Sequence, residues 1–152
     1  MTDDAADIGL PLEQMAHLLL LQQRCNQVVR LVLRRVDSEI PKSMAGLLKL
    51  VAGRPMKITE LAKMEGLAQP TVTEMIIQAE ARGWVRRVRD DADGRVVRVV
   101  ISPSGDEARR RLHGQIIDVL SSTVAVMPRE QIDDLVAAAD ALLPLIELLQ
   151  RA

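Results

Sequence analysis

The sequence predicts a mostly α-helical fold with one small β-hairpin, and three observations carry that prediction. Apolar residues recur at helical spacing along most of the 152 residues. One stretch, Trp84 to Ile101, is instead rich in Val, Ile and Arg and is broken by the turn signal Asp93-Gly94. Trp84 is the sole aromatic residue of the Phe, Tyr and Trp type, so the core is built from Leu, Val, Ile, Ala and Met, which suits packed helices.

Taken in order, residues 1–10 form an acidic arm, and Leu12 to Val36 a long helix with Met15, Leu18, Leu19, Val28, Val29 and Val32 in register. Pro41 interrupts it. Ser43 is placed to cap a short helix through Leu48 and Val51, and Gly53 and Pro55 punctuate. Two helices with a tight turn follow. The first runs from Ile58 to Met64, with Thr59 near its start and Gly66 at its end. The second runs from Gln69 to Arg82, with Pro70 in its first turn and Gly83 at its end. The hairpin comes next. Ser102-Pro103 then reads as a cap and first helical residue, opening a helix to about Val126. Pro128 opens a last helix, with Ile132, Leu135, Val136, Leu142, Ile146 and Leu149 on one broad face.

The expected organisation is one continuous domain in three parts: an arm and dimerisation helix over 1–41, a winged helix-turn-helix over 42–101, and dimerisation helices over 102–152. The first and last helices carry more apolar surface than the central unit could cover, which points to packing against a second copy.

Charge sharpens the middle part. Between Lys42 and Ile101 there are eleven Lys/Arg against seven Asp/Glu, whereas the chain as a whole carries a formal charge of −1. A basic reading unit on an acidic scaffold fits a nucleic-acid partner. No apolar run is long enough to span a membrane, and the acidic start does not resemble a secretory signal. The lone Cys25 cannot form an internal disulfide. The expectation is a soluble, cytoplasmic protein.

In a helix-turn-helix the N-terminal residues of the second helix face base edges in the major groove. Here these are Gln69, Pro70, Thr71, Thr73 and Glu74, while Val72, Met75, Ile76 and Ala79 form the packed face. Gln pairs with adenine, Thr uses its hydroxyl or its methyl, and the helix N-terminus attracts phosphate. Arg86, Arg87, Arg89, Arg95 and Arg98 crowd the hairpin. Arg95, just after the turn, suits a narrow minor groove with Asp93 orienting it, and Arg86, Arg87 and Arg98 are expected on the backbone.

The run from Ile58 to Gly105 resembles the winged helix-turn-helix of the MarR family of bacterial transcriptional regulators. Thr71-Val72-Thr73, Gly83-Trp84-Val85, Asp93-Gly94-Arg95 and the Ile101-Ser102 to Gly105 step carry the resemblance. It implies a homodimer on a pseudo-palindromic double-stranded operator, acting as a repressor of nearby genes. It also implies relief by a small phenolic or apolar effector, held between the dimer helices and the DNA-binding lobe, or by oxidation. Three positions depart from the family pattern: Glu74 where a basic or neutral residue is common, Ala68 where Ser or Thr caps, and Ala79 for a usual Leu.

Other readings are weaker. A winged-helix protein-interaction module has no need of so many arginines on its wing. Cys25 is the candidate for a redox-responsive regulator, yet it has no tyrosine partner anywhere in the chain, and a small buried hydrophobe is the simpler reading. His17 and His113 lack companions at ligand spacing, so no metal is expected, and no cofactor either. Met15, Met44, Met56, Met64, Met75 and Met127 read as core fillers, and Arg109-Arg110-Arg111 as a solvated face, a contact to the DNA backbone or a partner for the acidic arm. No phosphate loop, nucleophile motif or paired carboxylate frame supports an enzyme, and Asp90, Asp91 and Asp93 are accounted for by turn chemistry.

Overall fold

A computed structural model describes residues 11–90 and 94–151. The chain divides into two compact units, Met1–Arg35 and Val36–Ala152.

The first unit contains α1 (Leu12–Arg34). Pro11 precedes its first turn, where a missing N–H costs nothing, and the carbonyl of Pro11 accepts from Gln14. No residue of α1 is buried. Leu12, Leu19, Val28 and Val29 are all more than half exposed.

The second unit begins with a 3-10 turn, Lys42–Met44, that leads directly into α2 (Ala45–Gly53). Ser43 lies inside that turn and caps nothing, contrary to the expectation. Pro41 seeds the turn instead, its carbonyl accepting from Met44 N–H at 2.8 Å. Ile40 is buried with this unit, so the segment after Arg35 belongs to its core.

Next come α3 (Ile58–Glu65) and α4 (Gln69–Ala81). Both end in the same way. Gly66 and Gly83 adopt left-handed φ of 64° and 72°, which only glycine takes at little cost. Leu67 N–H reaches back to Ala62 O, and Trp84 N–H to Ala79 O. These six-to-one bonds satisfy the last carbonyls and turn the chain sharply.

The wing is β1 (Val85–Arg89) paired antiparallel with β2 (Val97–Ile101), in register Val85↔Ile101 through Arg89↔Val97. On the far edge of β2, Met56 exchanges two backbone hydrogen bonds with Val99, at 3.1 and 2.7 Å. The hairpin is thereby anchored on both sides of β2, which an isolated pair of strands would not be.

Then α5 (Pro103–Val124) starts as expected, with the Ser102 hydroxyl accepting from Gly105 N–H at 3.0 Å and Pro103 at the first position. The last expected helix is two: α6 (Arg129–Ala141) and α7 (Leu143–Arg151). Pro144 is the reason, since it has no N–H to donate and its ring opposes a continuous helix through Leu142.

The core joins α2, α3, α4, the wing base and α5. Leu47, Leu48, Met56, Leu61, Ile76 and Val99 are fully buried within it. Each such side chain contributes about 1.5–3 kcal/mol of transfer free energy. Met44, Met56 and Met75 are core fillers as expected, but Met15 and Met64 are exposed. Outside this core, Leu135, Val136, Leu143, Ile146, Leu148 and Leu149 leave an open apolar surface on α6 and α7.

Candidate nucleic-acid interface

The packed face of α4 is the expected one: Val72, Met75, Ile76 and Ala79 are buried. Ala79 is completely covered, so the helix packs closely where a larger residue would not fit. The opposite face presents Gln69, Pro70, Thr71 and Glu74, all exposed, with Thr73 half-buried beside them.

These side chains differ in what they have left to offer. Among the described residues, the Gln69 amide and the Thr71 hydroxyl have no protein partner. The Thr73 hydroxyl donates to Gln69 O at 2.9 Å, which leaves its methyl and a lone pair. Glu74 accepts from Gln78 Nε2 at 3.2 Å, one helical turn on. Ala68 occupies the cap position and provides no side-chain acceptor, so the first N–H groups of α4 remain open. That end of the helix has the partial positive charge and the free donors that suit an anion.

The wing adjoins the other end of α4. Arg86 and Arg89 are exposed and have no partner among the described residues. Arg87 is tied back to α4: its Nε lies 3.3 Å from Glu80, whose carboxylate also accepts from Arg87 N–H at 3.1 Å. Arg95 is exposed near the tip. Asp93 lies outside the described residues, as does its expected contact with Arg95.

Arg98 differs from the other wing arginines. Its Nε donates to the Asp90 carboxylate, and its Nη1 lies 3.9 Å from Glu60 Oε2. Glu60 in turn accepts from Lys57 N–H at 2.8 Å, capping α3, and from Arg54 Nη1 at 3.4 Å. The Lys57 N–H, with Arg54 and Arg98 adding positive charge, holds the Glu60 carboxyl below its ordinary range against the opposing effect of partial burial. Arg54 and Glu60 join this surface only through the fold. The available signal was a glutamate three residues into a helix, the position that reaches back to the cap N–H.

The joint between α4 and the wing is also more elaborate than the sequence suggested. The Arg82 guanidinium lies over the buried Trp84 ring, 5.4 Å from its centroid. Ser102 and Ser104 both donate their hydroxyls to Gly83 O. The helix termini of α4 and α5 therefore share one carbonyl.

Other candidates fall away from this surface. Arg109 and Arg110 pair with Asp106, and Arg111 with Glu107 and Glu39. That is a solvated face of i,i+3 and i,i+4 pairs joined to the segment before α2. Cys25 is partly exposed on α1 rather than buried, and it is a free thiol. The His17 ring contacts Glu13 O at 2.8 Å. Among the described residues no cluster of His, Cys, Asp or Glu could hold a metal, and no helix is long and apolar enough to cross a membrane.

A helix-turn-helix whose second helix runs straight into an arginine-bearing hairpin defines a winged helix-turn-helix protein. The model of the MarR family matches residues 41–97. Solved structures agree in fold across nearly the whole chain. A MarR family protein from Bacillus stearothermophilus is 21% identical with a TM-score of 0.70, covering 88% of this chain and 95% of its own. The transcriptional regulator BldR from Sulfolobus solfataricus is 19% identical with a TM-score of 0.69, over 87% and 95%. Wild-type MarR in its apo form, from E. coli, is 19% identical with a TM-score of 0.68, over 89% and 98%. No curated protein matches in sequence. Residues 41–97 are thus similar to the MarR family model, and the chain shares its fold with these solved structures.

Proposed function

We propose that this protein is a homodimeric, sequence-specific DNA-binding transcriptional regulator that represses nearby genes until a small phenolic or apolar molecule releases it. One observation supports the DNA reading above others. The uncapped, polar N-terminus of α4 and the exposed arginines of the wing belong to one continuous run of chain joined at Gly83. In this reading Gln69, Thr71, Thr73 and Glu74 meet base edges, with Pro70 closing the first turn. Arg95, oriented by Asp93, enters the minor groove, and Arg86 and Arg87 meet phosphates.

The dimer is supported by the apolar surfaces left open on α1, α6 and α7, where Leu12 is 87% and Leu149 69% exposed. Surfaces of that kind mark partner contacts. The family match supports regulation rather than catalysis. Repression and ligand release rest on resemblance to the family, of which one structure is described as the Multiple Antibiotic Resistance Repressor.

The experiment is a gel shift with the DNA upstream of the chain's own coding region, using wild type and Arg95→Ala across a salt series. Expected are a discrete complex, a steep loss of affinity with salt, and weaker binding by Arg95→Ala with unchanged helix content. A flat salt dependence would remove DNA as the partner and leave a winged-helix interaction module. A thermal-shift screen of small phenolics, followed by release of the bound duplex, tests the effector.

A further inference from the structure

We infer that Arg98 is a positioning residue, a strut that sets the wing against the start of α3, rather than a phosphate contact. The inference rests on the DNA-binding reading above and assigns this arginine a different task from its neighbours on the hairpin.

The geometry carries it. Arg98 is the cross-strand partner of Val88. Asp90 lies two residues beyond Val88 on the same face, within diagonal reach of a long side chain. The Arg98 Nε donates to that carboxylate, while Asp90 N–H continues the ladder to Val96 O at 2.8 Å. The other side of the guanidinium meets Glu60, which Lys57 N–H and Arg54 hold in place. The result is a chain of alternating charge, Arg54–Glu60–Arg98–Asp90, running from the loop before α3 to the far end of the wing.

The Arg98 side chain is 30% exposed, close to the 35% of Arg87, which pairs with Glu80 alone among the described residues; what sets Arg98 apart is that it faces carboxylates from the hairpin and from α3 at once. Its Nε donates to Asp90 and its Nη1 faces Glu60, so the guanidinium is drawn between two carboxylates of the protein, whereas a phosphate contact requires donors pointing outward. Contacts this accessible to water add little to stability one by one. Their effect is on direction: Met56 holds the edge of β2 and Arg87 ties β1 to Glu80 of α4, and Arg98 adds a tether to the start of α3 that fixes the hairpin's angle there. At 3.9 Å the Glu60 contact is Coulombic, so Asp90 is the primary anchor.

Asp90→Asn and Arg98→Gln test this with two readouts. The first is affinity for a short duplex selected from a random pool by the wild-type protein, measured against salt. A strut predicts that both variants bind roughly tenfold more weakly with an unchanged salt slope. A phosphate contact predicts instead that Arg98→Gln lowers the slope by about one unit. It also predicts that Asp90→Asn binds more tightly, since an anion near DNA has been removed. Either of those outcomes overturns the strut.

The second readout needs no DNA. Exchange of the Asp90 amide hydrogen should quicken in both variants, while global unfolding stays close to wild type. Unchanged exchange overturns the strut. If the wild type selects no duplex, the DNA reading fails and amide exchange alone decides the strut. If Arg98→Gln does not fold, Asp90→Asn decides, because it leaves the arginine in place.

Discussion

A β-carbon on Gly105 would lie 2.0 Å from the carbonyl oxygen of Trp84. The first turn of α5 is thus seated directly on the backbone that joins α4 to the wing, with Ser102 N–H donating to the same Trp84 carbonyl at 2.9 Å. No rotamer change can relieve a clash with backbone.

Gly105→Ala should therefore destabilise the fold by at least about 1–3 kcal/mol, the usual range for overpacking. It should also weaken DNA binding, because the joint must shift. Denaturant unfolding checks the first effect. Stability within 0.5 kcal/mol of wild type, the ordinary range for a surface change, would mean that α5 does not sit where it is placed here.

Ala68 is the missing cap of α4. Ala68→Ser supplies an oxygen for the open N–H groups and should stabilise the protein by about 1 kcal/mol. Since the same groups face the proposed DNA, the cap also competes with phosphate. The gain in stability is expected without an equal gain in affinity. A melting temperature that does not rise counts against the open helix end.

Glu74 is the one anion on the exposed face of α4 near its N-terminus, braced by Gln78. A carboxylate at a base edge accepts from the amino group of cytosine, and each good base contact is worth about 1–3 kcal/mol of discrimination. Glu74→Ala should erase a preference for cytosine at one position of each half-site while raising affinity for random duplex. Selection from a random pool with both proteins reads this directly. Identical selected sequences would remove Glu74 from readout.

The cap at Glu60 sets an acid limit. Its carboxyl is held below the ordinary value of 4.5, so it contributes stability that is fully present above that pH. That contribution is lost as pH falls through the lowered value. Wild type should exceed Glu60→Gln in stability at neutral pH, and the gap should close below about pH 4.5. A gap that persists in acid would mean that the benefit does not come from the charge of Glu60.

Much of this was legible in the sequence wherever a local rule applies. Gly66, Gly83 and Ser102-Pro103 each act on the backbone within a few residues, and each does what its type implies. The same holds for the buried stripe Val72, Met75, Ile76 and Ala79, because helical spacing alone selects it. Two local signals were misread. Ser43 has the residue type of a cap, but Pro41 two residues before it starts a 3-10 turn, and Pro144 interrupts an apolar run whose helical spacing continues across it.

What was not legible depends on residues far apart in sequence. Arg98 looked like its neighbours on the wing until the fold brought Glu60 beside it. Nor did the row of arginines on α5 reveal that Glu39 would meet Arg111. Charges pair according to the fold, and their spacing in the chain does not predict which of them face outward.

Trp84, buried beneath Arg82 at the joint of α4 and wing, is the chain's only aromatic side chain of its kind. The protein therefore has a single intrinsic fluorophore, and it sits where a change of angle between reading helix and wing would be felt first. Indole emission needs no label here and no assignment among competing signals. Its colour and intensity report one place in the molecule, so an optical titration with duplex or effector would show whether that joint moves.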